Sequence, residues 1–357
     1  MAIKQYNPLQ VPTWSWLHIN HAAFEQDGMP RSFLKTPTVQ APQGDLVENR
    51  FAEVPLSQFP QALRLNYSFA VEHCSSALSI TLPKGFQSDE PILIDYTLTE
   101  AYTGLVDCIA IHAEAGSRAT IAIQYSGANA SHALHFGCTV LKVDESAHVK
   151  LVKAQLLPAD ATHVDALAVT VQANATADVM LGETGAGHIV AGCNIDLSAP
   201  QSKASLGGLY VGHSDQQLDF NYRIALNAPD VEGEIRVNGA LADSAHKIMR
   251  STLDFLPGAL NAKGRETETV LTLSKQVVNV SAPLLLCGEE NVEGQHATST
   301  GRPDAGKLNY LMNRGFDRRQ AERMLVAASF APLYQRIDPP ALRETIQNHV
   351  GDVIHGA

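Results

Sequence analysis

Aromatic residues make up only 6% of a chain whose hydrophobic fraction is 45%. The apolar side chains are therefore mostly Ala, Val, Leu and Ile, which suit layers stacked closely on one another. Positive charge is scarce as well: Lys+Arg minus Asp+Glu is 26 − 37 = −11, and no basic stretch is longer than Arg318-Arg319. Nucleic acid and anionic membranes need concentrated positive charge and are disfavoured as partners. No segment approaches the roughly 18 uncharged apolar residues of a membrane span. Met1 to Pro12 holds no run of signal-peptide length, so the expectation is a soluble cytoplasmic protein. Paired cysteines are missing too, since Cys74, Cys108, Cys138, Cys193 and Cys287 stand 34, 30, 55 and 94 residues apart without a C-x-x-C. Such a set fits reduced thiols and speaks against a disulfide framework or a clustered zinc site.

Common catalytic signatures are absent: there is no G-x-x-x-x-G-K-[ST], no G-x-G-x-x-G opening a helix, no H-E-x-x-H and no G-x-S-x-G. Nucleotide hydrolysis, dinucleotide redox chemistry and metalloprotease chemistry lose their main supports.

Three regions separate by pattern. Residues 1–90 are mixed and Pro-rich, and they hold both tryptophans, Trp14 and Trp16, which are expected to pin this arm against the body because large aromatics bury much area. Across 91–300 short alternating runs dominate, as in Ile92–Leu98, Ala119–Tyr125, Val149–Lys153 and Glu268–Leu273. Period-two alternation predicts strands with one buried face. A small polar turn precedes several of them, and taking Ser117, Ala147, Thr176 and Ser202 as equivalent gives steps of 30, 29 and 26 residues. Strands repeating at near-constant spacing predict a stacked β-solenoid, with a β-sandwich as the alternative. Residues 301–357 turn helical. Asp304 caps a first helix through Leu308 and Tyr310 that ends at Arg314-Gly315. Asp317 caps a second, with Ala321, Met324, Leu325 and Ala328 on one face, and Pro339-Pro340 introduces a third carrying Leu342, Ile346 and Val350. These apolar stripes need something to pack on.

Few residues suggest chemistry. His132, His135 and Cys138 form an H-x-x-H-x-x-C run, but residues three apart on a strand face opposite sides, so ordinary strand positions are the better reading. His73-Cys74 meets the same objection, and Cys193 and Cys287 sit in apolar or Gly-rich contexts typical of small core residues. The most specific stretch runs from Glu293 to Asp304 and on to Phe316, where His296, flanked by small neighbours, lies between the strand-rich body and the helical tail.

That stretch resembles the SufB/SufD family of iron-sulfur cluster assembly scaffolds, its SufD branch in particular. Members carry a His-small-small-x-x-Gly block, an Asp three residues on and a Leu-x-Tyr-Leu-x-x-Arg-Gly helix, here His296, Gly301, Asp304, Leu308, Tyr310, Leu311, Arg314 and Gly315. Gly239 to His246, Asn261 to Glu268 and the Pro-Thr-Trp-x-Trp-Leu start at Pro12 are also similar to the family. Departures exist: Leu218 to Pro229 lacks the histidines of some members, Pro303 precedes Asp304 where a hydrophobic residue is usual, and Lys307 stands where Gln is common.

The resemblance implies a right-handed parallel β-helix with an N-terminal arm and a C-terminal helical subdomain. It implies a non-catalytic scaffold that pairs with a SufB-like paralogue and docks a SufC-like ABC ATPase through Tyr310, Leu311, Arg314, Gly315, Met324 and Leu325. His296 becomes the candidate interface residue and transient metal ligand. No cofactor would be stably bound beyond a transient nascent Fe-S cluster shared with a partner. A homodimeric scaffold without cluster contact is the main alternative. A β-helix polysaccharide-active enzyme is a weaker one, given the scarcity of aromatic residues for sugar stacking.

Overall fold

The computed structural model describes residues 4–24, 30–52, 59–127 and 129–354. Its body is a β-solenoid of about eight turns. Each turn contributes one strand to each of two sheets, and successive strands within a sheet run parallel. One sheet runs from Ile92–Thr97 through Arg118–Ser126, His148–Leu156, Thr176–Glu183, Lys203–Gly212, Glu232–Leu241 and Lys263–Thr272 to Glu293–Gly301. The facing sheet runs from Ser76–Leu82 through Gly104–Ala113, Leu134–Val143, Thr162–Val171, His188–Leu197, Gln217–Leu226 and His246–Phe255 to Val278–Cys287. The strand Ser76–Leu82, upstream of residue 91, is thus already bonded into the stack.

The repeat has a local cause. Gly116, Ser146, Asn174, Gln201, Asp230 and Asn261 all adopt a left-handed backbone, with φ of +69°, +61°, +57°, +60°, +58° and +60°. Each is followed by one buried residue, Ser117, Ala147, Ala175, Ser202, Val231 or Ala262, and then by the first residue of a strand. Small polar residues and glycine tolerate the left-handed turn, and the compact side chain after it fits inside the corner. The repeating steps are 30, 28, 27, 29 and 31 residues. Thr176 is therefore not the counterpart of Ser117 and Ala147. It opens the strand, in register with His148, and Ala175 holds the corner.

Alternation then sorts the side chains. Inward residues such as Ile121, Leu151, Val179, Leu206 and Ile235 stack into one aliphatic core. The few inward aromatics form short ladders, with Tyr96 and Tyr125 stacked at 5.5 Å and 7°. Parallel sheets usually bury both faces, and here both outer faces receive a cover. On the second sheet, Val106, Phe136, Val164 and Val190 lie beneath Tyr6, Leu63, Tyr67 and Phe69, the last two from α1 (Arg64–His73). Asn7 continues this attachment by donating to Ala191 O at 3.2 Å and Asp219 Oδ1 at 3.0 Å. Trp14 and Trp16 take no part in it. They are 71% and 64% exposed and lean on each other, while Tyr6, Leu63, Tyr67 and Phe69 fill the seam.

On the first sheet, Val152, Leu209, Val211 and Ala240 are covered by the C-terminal helices. Helix α2 (Ala305–Asn313) is capped by Asp304 and stops at Gly315, whose φ is +97°. Helix α3 (Arg318–Tyr334) starts from a reciprocal capping box between Asp317 and Gln320. It buries Ala321, Val326, Phe330 and Leu333, which corrects the expected stripe, since Met324 is 42% exposed and Ala328 also faces water. Helix α4 (Pro340–Val353) buries Leu342, Ile346 and Val350 as expected. Arg336 Nη2 donates to Asp178 Oδ1 at 2.5 Å and Lys150 Nζ to Asp338 Oδ2 at 2.6 Å, fixing the helices to the sheet. The stripes of α3 and α4 thus pack on this chain's own solenoid. No helix among the described residues is long and apolar enough to cross a membrane.

Candidate functional site at the open end

His296 lies in the last strand, Glu293–Gly301, in register with Glu266 of the strand before it. That position continues the inward row of Ile121, Leu151, Val179, Leu206 and Ile235. The row changes from aliphatic to ionisable at the final two coils. Every residue of Glu293–Gly301 is exposed, and the partner strand Val278–Cys287 is at most half-buried. Each is the terminal strand of its sheet, so each leaves one row of backbone donors and acceptors unpaired among the described residues.

Behind His296 the lumen is polar. Ser251 Oγ donates to Glu266 Oε1. Burial, reinforced by the charge of Glu268 and only partly offset by the Ser251 hydrogen bond, pushes Glu266 up to about 7. Lys247 Nζ donates to Glu268 Oε1 at 2.6 Å and to Ser281 Oγ at 3.0 Å, and Tyr210 OH donates to the same Glu268 oxygen at 3.2 Å. Burial lowers the Lys247 pKa even with Glu268 beside it. At the mouth, Asn279 Nδ2 donates to Thr300 Oγ1 at 3.0 Å across the two sheets. A group at His296 would therefore meet hydroxyls, an amide and a carboxyl near its neutral form, not hydrocarbon.

A second polar cluster occupies the lumen nearer the N-terminus, and local spacing in the sequence did not reveal it. His135 and His163 are register neighbours on an inward row, with Nδ1 atoms 2.7 Å apart. His135 Nε2 bonds Asp107, the two Nδ1 atoms share one hydrogen bond, and the remaining ring nitrogen is His163 Nε2. That atom stands 3.5 Å from Glu183 Oε2, and neither has a hydrogen-bond partner. Burial, then the nearby Asp165 charge, raises the Glu183 carboxyl well above its usual range, while burial and His135 push His163 well down. Alongside, Lys153 Nζ grips both Asp165 oxygens at 2.9 and 2.6 Å and Thr139 Oγ1 at 2.9 Å. Burial opposes charge on both partners, yet their attraction raises Lys153 and lowers Asp165. Gly137 makes room for this cluster, since a Cβ there would stand 2.2 Å from Asp165 Oδ1. Aligning the coils at steps of 26 to 30 residues would have placed these side chains together.

The H-x-x-H-x-x-C run does not converge. His132 is exposed in a turn beside Asp160, His135 points inward, and Cys138 is buried under the arm. Burial raises the thiols of Cys138 and Cys193. Cys287 is exposed at the far end of Val278–Cys287. No three His, Cys, Asp or Glu converge as a metal site among the described residues.

The helical candidates divide. Tyr310 is 58% exposed on α2, with the Arg314 guanidinium 5.2 Å from its ring centre, and Leu311 and Leu325 are half-buried. Gly315 ends the turn after α2. Met324 borders an open groove of about 460 Å³ between α3 and α4, together with Arg323, Ala327, Arg343 and Gln347.

Residues 96–329, about two thirds of the chain, match the family model described as SUF system FeS cluster assembly, SufBD core domain. The chain is 24% identical to the iron-sulfur cluster assembly protein SufD of Bacillus subtilis over 89% of its own length and 73% of that protein. It is 30% identical to an iron-sulfur cluster assembly SufBD family protein of Mycobacterium leprae over 43% of its own length and 41% of that protein. The SufD protein of Escherichia coli is 22% identical over 32% of this chain and 27% of its own.

Proposed function

This chain belongs to the SufBD family of the SUF iron-sulfur cluster assembly system and is SufD-like within it, and from that premise we propose that it serves as a non-catalytic scaffold subunit in the cytoplasm. It pairs with a SufB-like paralogue through its last coil and carries a SufC-like ATPase on its C-terminal helices. His296 receives iron or sulfide at the shared interface. The cluster is cargo, held transiently between partners and not kept as a resident group. Neutral imidazole is a suitable iron ligand.

One observation carries this reading: both terminal strands are exposed, and the lumen becomes polar where His296 sits. An exposed edge of this length is ready to pair with another strand, and such pairing supplies affinity through main-chain hydrogen bonds. For the ATPase, the exposed Tyr310, Met312, Phe316 and Met324 support docking on the outer side of the helices, whose other side covers the sheet.

Co-purification with the SufB-like and SufC-like partners under anaerobic conditions tests these statements. Alternate residues of a parallel strand address opposite neighbours. One of Ala297→Pro and Thr298→Pro therefore removes a donor at the free edge and should release the SufB-like partner while circular dichroism stays unchanged. Retention by both variants would sink the pairing. His296→Ala should leave the complex intact and reduce the iron and sulfide recovered on it. Met324→Glu with Tyr310→Ala should release only the ATPase.

A second reading is a homodimeric scaffold without cluster contact. It is favoured by the lack of a three-ligand site around His296 among the described residues. Unchanged iron recovery in His296→Ala would select it.

A further inference from the structure

Glu266 is the register neighbour of His296, one strand back on the same inward row. Adjacent strands of a sheet lie about 4.8 Å apart, so an ion held by one of these side chains is within reach of the other. Their surroundings differ: His296 is exposed, whereas Glu266 is 2% exposed. Ser251 Oγ donates to Glu266 Oε1 and fixes the carboxyl from the facing sheet, while Oε2 has no hydrogen-bond partner among the described residues. Buried polar atoms are normally bonded, so an orphaned carboxyl oxygen calls for a functional reason. Glu268, two residues on, is engaged differently, since its Oε1 accepts from both Lys247 and Tyr210.

We propose that Glu266 is the second ligand beside His296, and that the cargo taken up at this end is a divalent cation of the ferrous type and not sulfide. The proposal rests on the reading of His296 as a cargo ligand. Imidazole and carboxylate together belong to the donor set that holds ferrous iron while leaving positions open. The remaining positions fall to water or to groups of a partner, because no three His, Cys, Asp or Glu converge among the described residues.

The choice of cation over anion follows from charge. Hydrosulfide is negative, and a carboxylate beside His296, with Glu268 next along the row, repels it. Lys247, the cation on the lumen side of these coils, is already paired with Glu268 at 2.6 Å.

The test uses the untagged full chain with 13C-labelled histidine, and cobalt(II) chloride stands in for ferrous iron. Cobalt is titrated at pH 8, above the Glu266 value of about 7, and paramagnetic shifts are read by NMR. The His296 ring signal, identified by its loss in His296→Ala, should shift to saturation. Glu266→Gln keeps the side-chain size and an acceptor for Ser251. It should raise the cobalt concentration at half-saturation tenfold or more, since even outer-shell partners of a ligand are worth about 10–100-fold. Sodium sulfide in the same buffer should leave the His296 signal in place. Should Glu266→Gln fail to fold, Glu266→Ala carries the same expectation. An unchanged titration in a folded Glu266 variant would overturn the Glu266 assignment while leaving His296 a ligand. A sulfide-induced shift would overturn the choice of cation. A His296 signal indifferent to cobalt in the parent chain would overturn this inference and the ligand role of His296 together.

Discussion

At its N-terminal end the stack of coils meets two short antiparallel strands, Thr38–Gln40 against Ile92–Thr97 and Val47–Glu48 against Ser76–Leu82, and Leu46 fills the end of the core at 2% exposure. At the other end the strands Val278–Cys287 and Glu293–Gly301 have no such cover among the described residues, and the inward row presents His296 to solvent. A repeat protein needs a distinct cap at each terminus to stop further stacking. Here one end is stopped by the chain's own arm and the other is left polar and unpaired. Beside the exposed Val278 and the half-buried Leu284 to Leu286, this end presents Thr298, Thr300 and His296 to solvent, with the half-buried Asn279 at its mouth, so its rim is mixed and largely polar.

The contrast can be broken most forcefully with charge pairs. Lys153→Ala strands Asp165 in the lumen and should cost about 3–5 kcal/mol in urea unfolding. Lys263→Ala removes the exposed bridge to Glu293 at the open end, 3.2 Å long, and should leave the unfolding midpoint unchanged. Next come the plugs: Leu46→Ala should destabilise by about 3 kcal/mol, and Leu285→Ala, half-buried at the open end, by about 1 kcal/mol. Equal losses would mean that the two ends are closed alike in solution.

The third prediction concerns pH. Glu266 holds its proton to about pH 7 in the native state, so the native state binds more protons than the unfolded chain above the ordinary glutamate range. Stability from this group is present below about pH 4.5 and is lost as pH rises through about 7. Glu266→Gln should therefore gain on the parent protein between pH 5 and pH 8, by about 2 kcal/mol, read from thermal midpoints. A difference that stays constant across that range would place Glu266 in water. The smallest effect belongs to the arm: Trp14→Ser should change stability by less than about 0.5 kcal/mol, because its ring is mostly in solvent.

Much of the architecture was legible residue by residue. Asp304, Gly315, Asp317 and Pro340 mark helix ends through backbone needs that act within a few residues. The tryptophans misled because burial is decided by what else competes for the seam, and Tyr6, Leu63, Tyr67 and Phe69 had already occupied it. The stripe on α3 was misplaced for a related reason. Several of its faces carry apolar residues, and only the sheet beneath selects Val326 and Phe330 over Met324 and Ala328.

The sequence by itself determined that alternating strands repeat at a near-constant step, that helices follow, and that His296 sits at their junction. Those features depend on torsional preference and polarity over a handful of neighbours. Only the tertiary structure decided that Asp107, His135, His163 and Glu183 share one lumen, and that one end of the stack is covered while the other is open among the described residues. These are contacts between residues twenty or more positions apart in the chain. Their existence depends on register, and a shift of one residue would turn every inward side chain outward.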